Sequence, residues 1–293
     1  MSVNKGPILV GIDASEGSEL ALNWALDEAV ARDAPVHLLC CHTRPLTLGW
    51  EGANVADLQE LAAAARRTAS EVLVSALDRA RGTTPTVTVT GETVEARPAA
   101  VLAERSADAQ LIVLGSRRLK AVGSVLLGSV GAAVTARALC PVVVVRGPAG
   151  ILVERPAVVV GIDGTDAADP ALAYGFEHAS RHDVPLRAVM CWRPDPLATM
   201  QWRPEAPVPE RAQAWVTATL QRWQRRYPSV TSSGIVIREH APTGLVEQSA
   251  AEHLLVVGSR SRHALAGTLL GSVSQGVLHH ATCPVAVVPV MIG

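Results

Sequence analysis

The sixteen residues GSRRLKAVGSVLLGSV at positions 115–130 recur at positions 258–273 as GSRSRHALAGTLLGSV. The similarity continues beyond these segments, since 16 of the 31 residues at positions 115–145 are identical to those at 258–288 without a gap. A match of this length at one constant offset indicates an internal duplication. We therefore expect two copies of one domain.

The beginnings of the two copies are also similar. ILVGIDASEGSELALNWALDEA from Ile8 resembles VVVGIDGTDAADPALAYGFEHA from Val158. The segment RGPAGILVERP at 146–156 supplies the glycines and prolines typical of a linker. We predict one domain at residues 1–147 and a second at 156–293, each near the usual domain size.

Both copies alternate apolar segments with segments of helical periodicity. The predicted strands are ILVGID, PVHLLCCH, TVTVT at 86–90, QLIVLG and PVVVV in the first copy, and AVVVGID, VPLRAVMC, GIVIRE, HLLVVG and PVAVV in the second. The predicted helices cover 15–32, 57–81, a stretch from Pro98 and one after Gly128, then stretches from Asp169, from 209 to 227 and after Thr243. This order predicts the α/β class: two tandem open five-stranded parallel sheets, Rossmann-like, with helices on both faces.

The composition excludes several classes of partner. The net charge is −1 and 18% of the residues are charged, without the dense basic face that binding of nucleic acid needs. The N-terminus lacks the layout of a secretory signal, and no apolar run reaches the roughly 20 residues of a membrane span. We expect a cytoplasmic protein that contacts neither nucleic acid nor membrane. The five cysteines form no C-x-x-C motif, so we expect mostly small core residues.

The repeated glycine loop favours an anion. Each loop leaves the carboxyl end of a predicted strand, where ligands bind to open parallel sheets. Each then runs into a helix that begins at Gly128-Ser129 or Gly271-Ser272. Backbone N–H groups, a hydroxyl group and the positive end of a helix dipole converge there, which suits phosphate. A plain helix cap is the alternative interpretation of each Gly-Ser pair.

Other residues at the same predicted edges fit a nucleotide. Asp13 and Asp163 end the two VGID segments, where a carboxylate can accept hydrogen bonds from a ribose or an adenine amine. Cys41 and Cys191 end the second strands, with backbone groups that can contact a base edge. The aspartates can instead form turns or helix caps. Arg117 and Arg260 share one loop position and suit either phosphate contact or a solvated surface.

Motifs for other chemistry are lacking. The sequence has no G-x-x-x-x-G-K-[ST], no G-x-G-x-x-G and no G-x-S-x-G. His42, His279 and His280 form no convincing ligand pattern. We predict neither catalytic residues nor a metal site built from the chain itself.

These residues resemble the universal stress protein family in its tandem two-domain form, with the adenine nucleotide alpha hydrolase-like fold. The family's signature for ATP binding is G-x2-G-x9-G-[ST]. Gly115 and Gly128-Ser129 fit its spacing, as do Gly258 and Gly271-Ser272, and the VGID and CPV segments match as well. The signature's second glycine is replaced by Arg118 in one copy and Ser261 in the other. A side chain there costs roughly 1–2 kcal/mol if the backbone is left-handed.

The resemblance implies a stress-response regulator or sensor that binds ATP with Mg²⁺ in each domain. It also implies that the two repeats pair along their last strands and that the chain forms a homodimer. In the first copy the implied site residues are Gly11, Asp13, Cys41, Gly115, Ser116, Arg117, Arg118, Leu119, Lys120, Ala121, Gly128, Ser129 and Val130. In the second they are Gly161, Asp163, Cys191, Gly258, Ser259, Arg260, Ser261, Arg262, His263, Ala264, Gly271, Ser272 and Val273. The alternatives are a dimerising scaffold without nucleotide and a slow ATPase.

Overall fold

A computed structural model describes residues 6–43, 55–118, 125–126, 128–146, 156–192, 208–259 and 270–290. The chain divides into two compact units, Met1–Val145 and Arg146–Gly293. The linker boundaries suggested by the sequence stay predictions. None of the helices in the described part of the chain combines the length and the apolar character needed to cross a bilayer.

The first unit contains seven strands and four helices within its described residues. In chain order they are β1 (Ile8–Ile12), α1 (Glu16–Arg32), β2 (Val36–His42), α2 (Val55–Thr83), β3 (Val89–Glu95), α3 (Pro98–Arg105), β4 (Leu111–Gly115), β5 (Arg117–Arg118), β6 (Val125–Leu126), α4 (Ser129–Arg137) and β7 (Val142–Val145). The second unit repeats most of this order as β8 (Val158–Ile162), α5 (Asp169–His182), β9 (Leu186–Cys191), α6 (Val208–Arg226), β10 (Ser232–Ile237), α7 (Ala241–Gln248), β11 (Leu254–Gly258), α8 (Ser272–His280) and β12 (Val285–Val288).

Each unit builds a parallel five-stranded sheet. The strand order is β7-β4-β1-β2-β3 in the first unit and β10-β9-β8-β11-β12 in the second. Every neighbouring pair within these two orders runs parallel. The predicted fold class is therefore confirmed for both copies.

Helices cover both faces of each sheet. In the first unit α1 packs against α2, and α3 packs against α4. In the second unit α5 packs against α6, and α7 against α8. The strands β1, β4, β8 and β11 are buried at every position but one, and β7 and β12, each at one end of its order, are buried at all four positions. This two-sided burial explains why the strands read as continuous apolar runs.

Two local predictions were wrong in detail, and one feature was missed. The third strand begins at Val89, not Thr86, and pairs with β2 from Val36↔Val89 onward, so the alternation at 86–90 marked only its first residues. α7 begins at Ala241 rather than after Thr243, because Pro242 occupies the first turn, where a missing N–H costs nothing. The small antiparallel pair β5–β6 within the first glycine loop was not predicted.

Candidate functional site

The two candidate sites lie where each sheet's order changes direction. In the first unit the chain moves outward from β1 to β2 and β3, then returns to add β4 on the other side of β1. Ligands of open α/β sheets bind beyond the carboxyl ends of two such neighbouring strands. Gly11 lies beside Leu114 in that pair, so Asp13 and Gly115 share one edge. In the second unit β8 and β11 form the corresponding pair.

Asp13 forms a tight turn at the end of β1. Its Oδ1 accepts a hydrogen bond from the Ser15 backbone N–H at 3.0 Å and another from the Ser15 hydroxyl group. The Asp13 N–H donates to Ser18 Oγ at 2.9 Å. Asp13 therefore forms a turn, which was one of the two alternatives considered for it, and its side chain is exposed to solvent.

Asp163 repeats this turn in the second unit. Its Oδ1 accepts hydrogen bonds from Thr165 N at 3.0 Å and Thr165 Oγ1 at 2.7 Å. Gly164, between the two partners, has a φ of 78°, which favours glycine. Ser15 and Thr165 orient the carboxylates, and sequence reasoning missed both, although their shared spacing from the aspartates was a usable signal.

Gly115 ends β4 in direct contact with the start of α1. A Cβ on Gly115 would meet the Gly17 carbonyl oxygen at 2.0 Å, and a Cβ on Gly17 would meet the Ser116 carbonyl oxygen at 2.3 Å. The second copy has Ala167 where the first has Gly17, and there a 3₁₀ turn at Asp166–Ala168 precedes α5. Glycine at both positions thus lets α1 approach closely the first residues of the glycine loop, Gly115 and Ser116.

The serines that follow Gly115 and Gly258 connect the two glycine loops to the last strand of each sheet. Ser116 N donates to Val145 O at 3.0 Å, and Ser259 N donates to Val288 O at 2.8 Å. In the second unit the Ser259 hydroxyl group also accepts from Val290 N at 3.3 Å. These amides are engaged within the sheets, so the loops begin from fixed points.

The loops end at two equivalent helix starts. Gly128 is the N-cap of α4 with φ −60° and ψ 155°, and Gly271 is the N-cap of α8 with φ −67° and ψ 149°. Neither has a side-chain capping hydrogen bond. The following serines, Ser129 and Ser272, are exposed, while Val130 and Val273 are half-buried.

The second loop is closed across its base. Gly271 N donates to Ser259 O at 2.8 Å, and Ser274 Oγ donates to Gly258 O at 2.6 Å. The strand end at Gly258 and the helix start at Gly271 are therefore held together. This brings four predicted site residues of the second copy into one place: Gly258, Ser259, Gly271 and Ser272.

The cysteines at the ends of β2 and β9 are half-buried. Burial raises the pKa of the Cys41 thiol and of the Cys191 thiol to about 11 each, so both are neutral at physiological pH. Cys41 and Val130 pack against the same buried cluster, which contains Leu114. Cys191 Sγ lies 3.8 Å from Ala241 O at the start of α7. They offer soft contact surface rather than nucleophiles.

Packing accounts for the glycines in the two VGID segments. A Cβ on Gly11 would meet Leu114 Cδ2 at 2.7 Å, and one on Gly161 would meet Leu245 Cδ1 at 2.9 Å. A helix leucine or a neighbouring strand leucine thus occupies the space beside each glycine. Ligand contact by Gly11 and Gly161 stays a prediction.

Several predicted loop residues lie outside the described residues: Leu119, Lys120, Ala121, Arg260, Ser261, Arg262, His263 and Ala264. The backbones of Arg117 and Arg118 form β5, with Arg118 opposite Val125. Arg118 is not among the residues of the described chain with positive φ. The strain considered for a side chain at the signature's second glycine therefore does not arise at Arg118.

A cavity of about 320 Å³ lies beside the first site, between α1 and α2, with Asp13 on its lining. The sequence did not predict this cavity. Glu19 and Arg79, also on the lining, form an ion pair of 2.9 Å across the two helices. Asp169 and Arg222 form the equivalent pair in the second unit at 2.6 Å.

Comparison with known proteins places these features in one family. The model of the universal stress protein family matches residues 6–146 and 155–289. A universal stress protein of Mycolicibacterium smegmatis is 36% identical over 291 residues, covering 96% of each chain. The crystal structure of a universal stress protein from Archaeoglobus fulgidus covers 97% of this chain and 96% of its own, with a TM-score of 0.67 and 18% identity. The structure of the universal stress protein from Archaeoglobus fulgidus in complex with dAMP covers 47% of this chain and 96% of its own, at 22% identity and a TM-score of 0.31.

Proposed function

Since this chain belongs to the universal stress protein family, we propose that each of its two domains binds ATP with Mg²⁺ at the carboxyl edge of its sheet. Binding would set the conformation or the partner choice of a stress-response regulator, without rapid turnover of the nucleotide. The two sites would act in a cytoplasmic homodimer.

One observation carries the proposal. In both units a helix begins at an N-cap glycine, which has no side chain to cap the helix, beside the point where the strand order changes direction. The first N–H groups of a helix have no acceptor within the helix, and the helix dipole adds a partial positive charge there. The N-cap residues Gly128 and Gly271 have no side chain of their own that could accept these N–H groups. A phosphate group is the natural acceptor for such a set of donors.

The aspartate turns supply a second contact of the right kind. One carboxylate oxygen of Asp13 or Asp163 holds the turn, and a carboxylate has further lone pairs for ribose hydroxyl groups. A site that binds phosphate at one end and a sugar at the other suits a nucleotide. Cys41 and Cys191, neutral and half-buried, would contact the base.

The two sites would differ in strength. Arg118 carries a positive charge that can pair with a phosphate, while the second copy has Ser261 at that position. Because Arg118 has an extended backbone, no left-handed strain opposes binding in the first copy. We expect the first site to bind ATP more tightly than the second.

Calorimetric titration of the purified full chain with Mg-ATP tests the proposal, together with mass spectrometry of any nucleotide that copurifies. Asp13→Asn and Asp163→Asn keep the Oδ1 acceptor of each turn and remove the charge. Each should weaken its own site about 10- to 100-fold, as expected for loss of a hydrogen bond to a charged group. Asp166→Asn, which changes an exposed carboxylate three residues after Asp163, is the matched control and should leave binding unchanged.

The second candidate function is a scaffold that dimerises without nucleotide. The loss of the signature's second glycine in both copies favours it. No copurified nucleotide and no heat of binding in millimolar Mg-ATP would support this scaffold and contradict the ATP proposal. Light scattering on the same samples measures whether the chain is a dimer.

A further inference from the structure

Three histidines of the second unit lie together at the amino edge of its sheet. His178 and His182 are one turn apart on α5, and His253 immediately precedes β11. One ring nitrogen from each lies within 4.8 Å of the other two. The ring centroids are 4.2, 5.0 and 5.1 Å apart. Among the described residues this is the one group of three potential ligands that meets these distances.

Local structure holds the three rings in this arrangement. Positions i and i+4 of a helix face the same side, which places His178 and His182 side by side. His253 N donates to Ala157 O at 3.0 Å, which fixes the backbone of the third histidine. The neighbouring Glu252 accepts from Ala157 N at 2.5 Å and pairs with Arg187 at 3.0 Å. The carboxylate closest in sequence is therefore engaged elsewhere.

The first copy has different chemistry at the equivalent positions. Glu28 and Arg32 occupy the two helix positions, and Gln110 occupies the position before the strand. Glu28 is buried and forms an ion pair with Arg32. Gln110 Nε2 donates to Gly6 O at 2.6 Å. In the first copy the side chains at these positions thus form an ion pair and a hydrogen bond to the backbone. The second copy has three imidazole rings at the same positions.

We propose that His178, His182 and His253 form a binding site for a divalent transition metal ion of the zinc type, with water as the fourth ligand. Imidazole nitrogen suits Zn²⁺ and its neighbours in the first transition row. Three protein ligands with one open position are typical of Zn²⁺ sites that keep a water molecule. His178 is completely buried, so packing holds one ligand in place. The other two histidines are half-buried, so a metal ion can reach the site from solvent.

The ion would link the last turn of α5 to the start of β11. This site lies apart from the nucleotide site, since β11 carries His253 before its first residue and Gly258 at its end. Five residue steps along the extended strand separate these two residues by roughly 16 Å. The metal proposal therefore does not depend on nucleotide binding.

Titration of the chelator-treated full chain with Co²⁺ tests the site. We expect one equivalent of Co²⁺ to give the visible absorption bands of a tetrahedral complex, and Zn²⁺ to remove them. His253→Gln introduces the residue of the first copy and should lower the Co²⁺ affinity at least about tenfold. His280→Gln changes an exposed histidine near the end of α8 and should leave the affinity unchanged.

Thermal unfolding separates metal binding from a folding defect. In chelator the variants should melt as cooperatively as the wild type, and added Zn²⁺ should raise the Tm of the wild type but not of His253→Gln. His182→Gln, at a half-exposed position, repeats the test with a second ligand. The proposal is overturned if the wild type forms no stoichiometric tetrahedral Co²⁺ complex, or if both folded variants bind Co²⁺ within twofold of the wild type.

Discussion

The Gly17 carbonyl oxygen lies where a Cβ on Gly115 would be only 2.0 Å away. Both glycines belong to the first copy, one at the start of α1 and the other at the end of β4. Backbone, rather than a flexible side chain, fills the space on each side. The contact therefore fixes the start of the glycine loop relative to α1.

Gly115→Ala should destabilise the protein, because neither backbone segment can move without disturbing α1 or β4. Overpacked interiors typically lose about 1–3 kcal/mol, and we expect the upper part of that range. Urea unfolding measures the loss. Gly82→Ala, in the last turn of α2, is the control, since among the described residues nothing lies within 4 Å of a Cβ at that position. Equal losses for the two variants would contradict the role given to this contact.

The buried pair Glu28–Arg32 should matter far more than a similar pair on the matching helix of the second copy. Glu28→Gln leaves Arg32, whose side chain is 7% exposed, without its carboxylate, and breaking such a pair costs about 3–5 kcal/mol. Glu177→Gln breaks the i,i+4 pair with Arg181, whose side chains are 32% and 26% exposed, and should cost under about 1 kcal/mol. Denaturant unfolding of both variants gives the comparison, and similar costs would disprove it.

The sequence was sufficient to predict the order of the helices and of the five parallel strands in each copy. Aliphatic residues and single glycines make up β1, β4 and β7 without a polar side chain, and this pattern predicts strands of a parallel sheet that are buried on both faces. β3 was misjudged because it is half-buried and includes Gly91, under which α2 packs Leu73. Local alternation does not show which residues a neighbouring helix covers.

The candidate sites were predictable only in part. The helix starts at Gly128 and Gly271 follow from local rules, since glycine before a helix is a recognisable cap. The contact between Gly17 and Gly115 joins residues almost a hundred positions apart and has no local signal. The same holds for His178 and His253, which meet only because α5 packs against β11.

Glycine at the end of α1 or α5 should stabilise the protein. Asp33 and Asp183 end these helices with φ values of 50° and 52°, a region where a Cβ is unfavourable. Asp33→Gly and Asp183→Gly should each raise the free energy of unfolding by about 0.5–1 kcal/mol, after the greater freedom of glycine in the unfolded chain is subtracted. Asp33→Ala keeps the Cβ and should gain nothing. Urea unfolding decides the point, and a glycine variant less stable than the wild type would refute the explanation.

The buried thiol of Cys140 should make stability fall at alkaline pH. Burial raises its pKa from the ordinary value of 9.0 to about 12. Between these values the unfolded chain releases the proton while the folded chain keeps it, so the free energy of unfolding falls by about 1.4 kcal/mol per pH unit on account of this thiol. Cys140→Ala removes that contribution, and its disadvantage relative to the wild type should shrink as the pH rises above 9.

Urea unfolding under reducing conditions at several pH values from 7 to 10.5 measures the Cys140 effect. Val142→Ala, a buried neighbour without a titrating group, is the control because its packing loss does not depend on pH. Its stability should run parallel to that of the wild type over the whole range. If the Cys140→Ala profile is equally parallel, the thiol ionises in the folded protein as readily as in the unfolded chain, and the assigned burial effect is wrong.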